Sequence, residues 1–157
     1  MTFNSDERFM QEAFKMAVKA FELDEVPVGA VIVHEQRILA KAHNQVETLK
    51  DPSAHAEMIA VTAAAHALGQ KWLHQCAMYV TLEPCAMCAG ALVLARIDRL
   101  VFAASDQKAG ACGSVLNVTQ NSALNHMVVI EQGSMAEESS ALMSEFFERK
   151  RRKKKER

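Results

Sequence analysis

Apolar residues recur along the chain in two distinct rhythms. Phe9, Ala13, Met16, Ala17, Ala20 and Phe21 return at helical spacing, which predicts an amphipathic first helix ending before Pro27. Asn4 or Ser5 would cap it, and Asp6 and Glu7 suit the positive end of its dipole. The stretches VPVGAVIV (26–33) and RILAKA (37–42) are apolar and rich in β-branched residues, with the polar HEQ between them. They predict a β-hairpin. Asp51 followed by Pro52 predicts a helix start, Asp51 as cap and Pro52 at the first helical position. That helix would run through HAEMIAVTAAAHAL and stop at Gly69. It is apolar almost all round, so it is expected to be buried.

Beyond it, AMYVTL (77–82) predicts a strand and CAMCAGALVLAR a second buried helix just after Pro84. RLVFAA (99–104) and MVVIE (127–131) predict two more strands. Ser134 with Glu137 reads as a capping box for a final helix, with Leu142, Met143, Phe146 and Phe147 facing inward. Strands alternating with buried helices imply a mostly parallel sheet covered on both faces, part of it made antiparallel by the hairpin. The expected fold class is α/β, a three-layer α/β/α sandwich around a mixed sheet of about five strands.

Composition adds limits to this picture. The chain has 157 residues, half of them apolar, enough for one domain with its own core. The apolar run 89–95 is far too short to cross a bilayer. The opening MTFNSDERFM lacks a basic stretch followed by an apolar one, so the expectation is a cytoplasmic protein with no membrane partner. Four cysteines are too few for a disulfide scaffold at this length. Seven basic side chains and one acidic one fill the last eight residues, KRRKKKER, which leaves −7 on the preceding 149 against a whole-chain −1. The chain therefore divides into a domain over 1–149 and a basic tail over 150–157. Such a tail is either a solubilising terminus or a contact for a polyanion.

The chemistry centres on VTLEPCAMCAG (80–90). Cys85 and Cys88 lie three apart at a helix start, where free N–H groups and the dipole favour thiolate. This spacing fits a metal ion better than a redox dithiol or two core cysteines, but two thiolates cannot hold an ion alone. Among histidines 34, 43, 55, 66, 74 and 126, His55 is the candidate third ligand. Glu57 stands two positions on, in an otherwise apolar helix, and a buried carboxylate there needs a partner or a task. Spacing alone does not bring His55 and Glu57 to one ion, since i and i+2 lie about 160° apart on a regular helix. Cys76 or Cys112 could instead complete a closed four-ligand structural site.

His55-Ala56-Glu57 followed by Pro84-Cys85-Ala86-Met87-Cys88 resembles the H-x-E…P-C-x-x-C signature of zinc-dependent nucleobase deaminases. EVPVGAV (25–31), DPSAHAEM (51–58), TLEPCAMCAGA (81–91), DQKAGACGS (106–114) and the final EFFERKRR resemble, in order, blocks of the bacterial tRNA-specific adenosine deaminases. The resemblance runs from about Asp6 to Arg152 and implies the cytidine-deaminase-like form of the sandwich. It implies one zinc ion per subunit held by His55, Cys85 and Cys88, with the fourth tetrahedral position open to water, and Glu57 as proton carrier. The implied reaction is hydrolytic deamination of adenosine to inosine at the wobble position of a tRNA anticodon loop, by a homodimer. It places Asn44 against the purine, Val28 and the Ala54 backbone in the pocket wall, and Phe147 and Arg149 of the last helix at the substrate. Asp106 and Lys108 follow the fourth strand, where sugar or phosphate would be met, or are solvated loop charges. Lys50, Ser105 and Ala109 depart from residues typical of that family around the substrate channel. Two rivals stand beside this reading: a deaminase of free cytosine, guanine or a related nucleoside or nucleotide, and a structural zinc protein that binds RNA without reacting.

Overall fold

A computed structural model describes residues 5–157. Successive side chains of a strand point to opposite faces of the sheet, and this decides how the layers stack. Along β1 (Gly29–His34), Ala30 and Ile32 join one buried cluster, while Val31 and Val33 join another on the opposite face. The same split holds in β3 (Cys76–Leu82), where Met78 and Val80 face away from Tyr79. In β4 (Arg99–Ala104), Leu100 and Phe102 face away from Val101 and Ala103. One face receives α1 (Ser5–Glu22) through Phe9, Met10 and Ala13. The other receives α3 (Ala56–Leu68) and α4 (Ala86–Leu94) through Ala56, Ala60, Ala64, Ala89 and Leu92. The sandwich is thus three layers deep, as expected.

The sheet has five strands in the order β2-β1-β3-β4-β5, with β2 at Arg37–His43 and β5 at Val129–Gln132. β1 pairs antiparallel with both β2 and β3, whereas β3–β4 and β4–β5 are parallel. The sheet is mixed in equal parts, which corrects the expectation of a mostly parallel one. The hairpin reverses direction in two residues, Glu35 and Gln36, both at positive φ (51° and 63°), the handedness a tight two-residue turn demands. At Gly29 the backbone of α1 lies directly against β1. A Cβ there would stand 2.1 Å from the Ala13 carbonyl oxygen and 2.5 Å from the Ala17 nitrogen, so no larger residue fits.

Several local expectations are corrected. Asp51 and Pro52 do not open the long helix; Asp51 instead accepts from the backbone N–H and hydroxyl of Ser53 in a local turn. A one-turn helix, α2 (Val46–Leu49), precedes it, and α3 begins only at Ala56. It does end at Gly69, whose φ of 67° is left-handed. It is buried along one stripe only, with Thr62, Ala63, His66 and Ala67 exposed. Ser134 is no cap: α5 (Ala136–Lys155) starts after Met135 in a left-handed conformation, without a side-chain cap. β5 starts two residues beyond the position that the sequence predicts. Phe146 is the buried anchor of α5, edge-on to Phe21 at 6.2 Å, while Phe147 is exposed. The helix runs through position 150 without a break, and Lys150 bonds to Asp24 at 2.7 Å. Asn4 lies outside the described residues.

Candidate metal centre and reaction cavity

Two helices of one sheet face begin beside each other, and their first residues are the donors. His55 is the N-cap of α3, with extended backbone (φ −73°, ψ 152°), and Cys85 the N-cap of α4 (φ −73°, ψ 176°). Cys88 follows in the first turn of α4 and is fully buried. Because His55 precedes its helix, the regular angular step does not apply between it and Glu57. That removes the 160° obstacle raised by the sequence. His55 Nδ1 stands 3.6 Å from the Cys85 sulfur and 3.5 Å from that of Cys88. The three donor atoms lie within 4.8 Å of one another, and no further group of this kind occurs among the described residues.

The donor set fits zinc. Bonds of about 2.3 Å to sulfur and about 2.0–2.1 Å to nitrogen at a tetrahedral angle place S and N about 3.6 Å apart, as found here. Neither remaining cysteine is a fourth donor. Cys76 lies at the far end of the sheet, paired with His34 and 3.7 Å from its Nδ1. Cys112 is buried and outside the cluster. Burial pushes both thiols up, to about 11 and about 12. At the centre, a hydrogen bond from Cys88 pulls Cys85 down to about 5, helped by the backbone N–H groups of Cys88 and Met87. Cys88, as the donor in that bond and a buried group, is pushed up. A cation of charge +2 would replace that shared proton and hold both as thiolates.

Glu57 is 5% exposed. Burial raises its pKa to about 7, opposed by its own backbone N–H and by His55. A carboxyl poised there can both take and give a proton near neutral pH. It lines a cavity of about 370 Å³ together with His55, Cys85, Val28, Asn44, Leu82 and Asp106. Asn44 is buried, and its Oδ1 has no hydrogen-bond partner. Such an atom calls for a donor on whatever enters.

The other predicted positions divide. Ala54 is buried behind this wall, its carbonyl taken by the Gln45 N–H. Asp106 lines both the cavity and a wider adjoining groove of about 720 Å³, and its carboxylate accepts from the N–H groups of Lys108 and Ala109. Lys108 and Phe147 line that groove, along with Ser105 and Arg151. Arg149 reaches neither. Its guanidinium lies 4.2 Å from the Phe21 ring, donates to the Phe21 carbonyl and stands 3.6 Å from Asp24, so it ties α5 to α1. His126 donates from Nε2 to the Ile97 carbonyl in the turn before β4.

Sequence reasoning missed two cavity residues, Glu25 and Glu83, buried at 1% and 2% exposure. Glu83 is an acid embedded between apolar residues, in TLEPC, the same anomaly that singled out Glu57, whereas Glu25 follows Asp24 and carries no such signal. Burial pushes both carboxyls up. At Glu25 the Thr48 hydroxyl and the N–H groups of Glu47 and Thr48 outweigh it, and at Glu83 the Ser114 hydroxyl and three backbone N–H groups do so. Both therefore stay below the usual range.

A sequence model of the MafB19-like deaminase family matches residues 4–151. The chain is 52% identical over 143 residues to the tRNA-specific adenosine deaminase of Aquifex aeolicus (strain VF5), covering 91% of this chain and 94% of that one. A solved structure from work on A-to-I editing by tRNA:A34 deaminases at the wobble position of transfer RNA superposes with a TM-score of 0.83. It is 40% identical, over 87% of this chain and 99% of that one. A guanine deaminase from Bacillus subtilis superposes less well, with a TM-score of 0.62 at 30% identity over 88% and 91% of the two chains.

Proposed function

The chain belongs to the MafB19-like deaminase family and to the tRNA-specific adenosine deaminases, and from that premise we propose how its own residues convert adenosine to inosine at the wobble position of tRNA. His55, Cys85 and Cys88 would hold one zinc ion. When bound, zinc supplies the Lewis acidity that brings the pKa of water from ~15.7 toward ~7. Asn44 presents its unpartnered amide oxygen to the purine, and Val28 packs against the ring's apolar edge. Glu57 takes a proton from the attacking water and places it on N1 of the adenine. It then takes the proton of the new C6 hydroxyl and passes it to the amine as C6=O forms and C6–N breaks, so that adenosine and water become inosine and ammonia. The single observation that carries this assignment is a buried carboxylate in one cavity with two of three converging donors, the third, Cys88, buried beside them.

The target base must leave its stack to enter so enclosed a site. The adjoining groove, with Lys108, Phe147 and Arg151, would take the neighbouring nucleotides, and Lys150 to Arg157 would meet phosphates. The rival substrate, free guanine, is favoured by the likeness to the Bacillus subtilis enzyme, but neither the groove nor the basic helix would then have a partner. Incubation with an anticodon stem-loop RNA bearing adenosine at the wobble position, and in parallel with guanine, cytidine and free adenosine, tests this. Inosine forming in the RNA is the expected outcome; ammonia from guanine or cytidine alone would refute it.

A second copy of the chain is the partner we infer for the outer face of α3 and α4. Met87 and Leu94, seven apart and so aligned on α4, are 38% and 78% exposed, and Leu49 beside α3 is 55% exposed. Sedimentation at micromolar concentration should read two chains. No helix among the described residues is long and apolar enough to cross a membrane, and a cytoplasmic site of action follows from the proposed substrate.

A further inference from the structure

We propose that Glu25 and Glu83 are positioning residues that fix the two opposite walls of the reaction cavity. Glu25 would hold the segment between Asn44 and His55, and Glu83 the loop from Asp106 to Ser114. The inference rests on the deaminase reading above, because it concerns how adenosine is seated.

The first wall cannot hold itself. α2 is one turn of four residues with no side-chain cap, and Lys50 closes it in a left-handed conformation; a helix that short has no stability of its own. Among the described residues, the other hydrogen bonds of 45–54 stay within the segment or reach its end at His55: Gln45 to Ala54, Leu49 to Gln45, Lys50 and Asp51 to Val46, Ala54 and Ser53 to Asp51, and His55 to Ser53. Glu25 supplies its ties to the body. One carboxylate oxygen accepts from the Glu47 N–H at 3.0 Å. The other accepts from the Thr48 N–H at 2.6 Å and from the Thr48 hydroxyl. At one end of this segment stands the unpartnered Asn44 amide, and at the other a metal donor. A shift of the segment therefore moves the base contact relative to the ion.

The second wall is built the same way. Glu83 accepts from the N–H groups of Asp106 (3.1 Å), Cys112 (3.0 Å) and Ser114 (3.1 Å), and from the Ser114 hydroxyl. The loop wraps so closely that a Cβ at Gly110 would stand 2.5 Å from the Glu83 carboxyl carbon. Asp106 and Ala109 reach the cavity from this loop. A carboxylate suits both places because it offers two acceptor oxygens and no proton. Glutamine has the same shape, but half of its head is a donor facing donors.

Two readouts test the proposal. In Glu25→Gln, the amides of Glu47 and Thr48 should exchange hydrogen at least about tenfold faster, with zinc per chain unchanged. KM for the stem-loop should rise about tenfold or more while kcat changes less than about threefold. Thr48→Val, which removes one donor at an exposed position and leaves the acid in place, should raise KM in the same direction by about threefold. Ser114→Ala should do so for the second wall. Thr48→Val and Ser114→Ala keep the test alive if Glu25→Gln fails to fold. The proposal is overturned if KM and exchange stay at wild-type values in folded variants. It is equally overturned if kcat and KM change only in step with loss of folded, zinc-loaded protein. If the wild-type chain makes no inosine, the deaminase reading falls, while the exchange measurement still decides whether the carboxylates hold the walls.

Discussion

Of the three buried carboxylates that line the cavity, Glu57 is the one not saturated by donors from another segment. Glu25 and Glu83 are saturated by backbone and hydroxyl donors, whereas Glu57 is desolvated, with its pKa raised to about 7. Glu57→Gln should therefore fold and bind zinc as before, yet lose about 10²–10⁴ in kcat, the usual worth of a positioned proton carrier; metal analysis beside single-turnover inosine formation checks this. Cys88→Ser should instead lower zinc per chain, because a hydroxyl is a poor substitute for a buried thiolate. At this scale the sequence was legible where spacing carries chemistry, as in Pro84-Cys85-x-x-Cys88. The sequence singled out His55 as the third donor, but spacing could not show that His55 and Glu57 reach one place, because the extended backbone of His55 is set by where α3 begins. Glu25 and Glu83 escaped notice because their donors come from residues 22 to 31 positions away, and no local pattern encodes such pairings.

At the scale of elements, the apolar runs of β1, β3 and β4 marked strands buried on both faces, but which side chain meets which helix layer is seen only in the fold. Helix ends were read less well. Asp51 has the chemistry of a cap but uses it in a turn of its own, and Ser134 loses the start of α5 to a left-handed Met135. A capping residue marks a place where helix could start, and tertiary packing chooses among such places. α1 packs closely on β1 at Gly29. Gly29→Ala should cost about 3 kcal/mol or more, since a methyl group would meet backbone and not a flexible side chain. For a chain of this size that lowers Tm by roughly 6–12 °C, measurable by calorimetry, while the zinc content of the protein that remains folded stays the same.

For the whole molecule, charge is segregated: the last eight residues carry +6 on a body of −7. α5 presents most of these cations to solvent, and among the described residues Lys150 alone is hydrogen-bonded to the body, through Asp24. That pair is exposed enough to contribute little to stability. Removing residues 150–157 should therefore leave the melting temperature nearly unchanged. It should weaken RNA binding and flatten its dependence on salt, by about 0.7–0.9 in slope for each phosphate that is no longer neutralised. Titration of stem-loop RNA at several salt concentrations measures both.

The side chains around the reacting centre all come from positions 25 to 109, whereas α5 borders only the outer groove. The last helix thus adds to the groove but contributes nothing to the lining of the inner cavity. A chimera that exchanges everything from Ala136 onward could acquire a new nucleic-acid preference while inheriting the old catalyst intact.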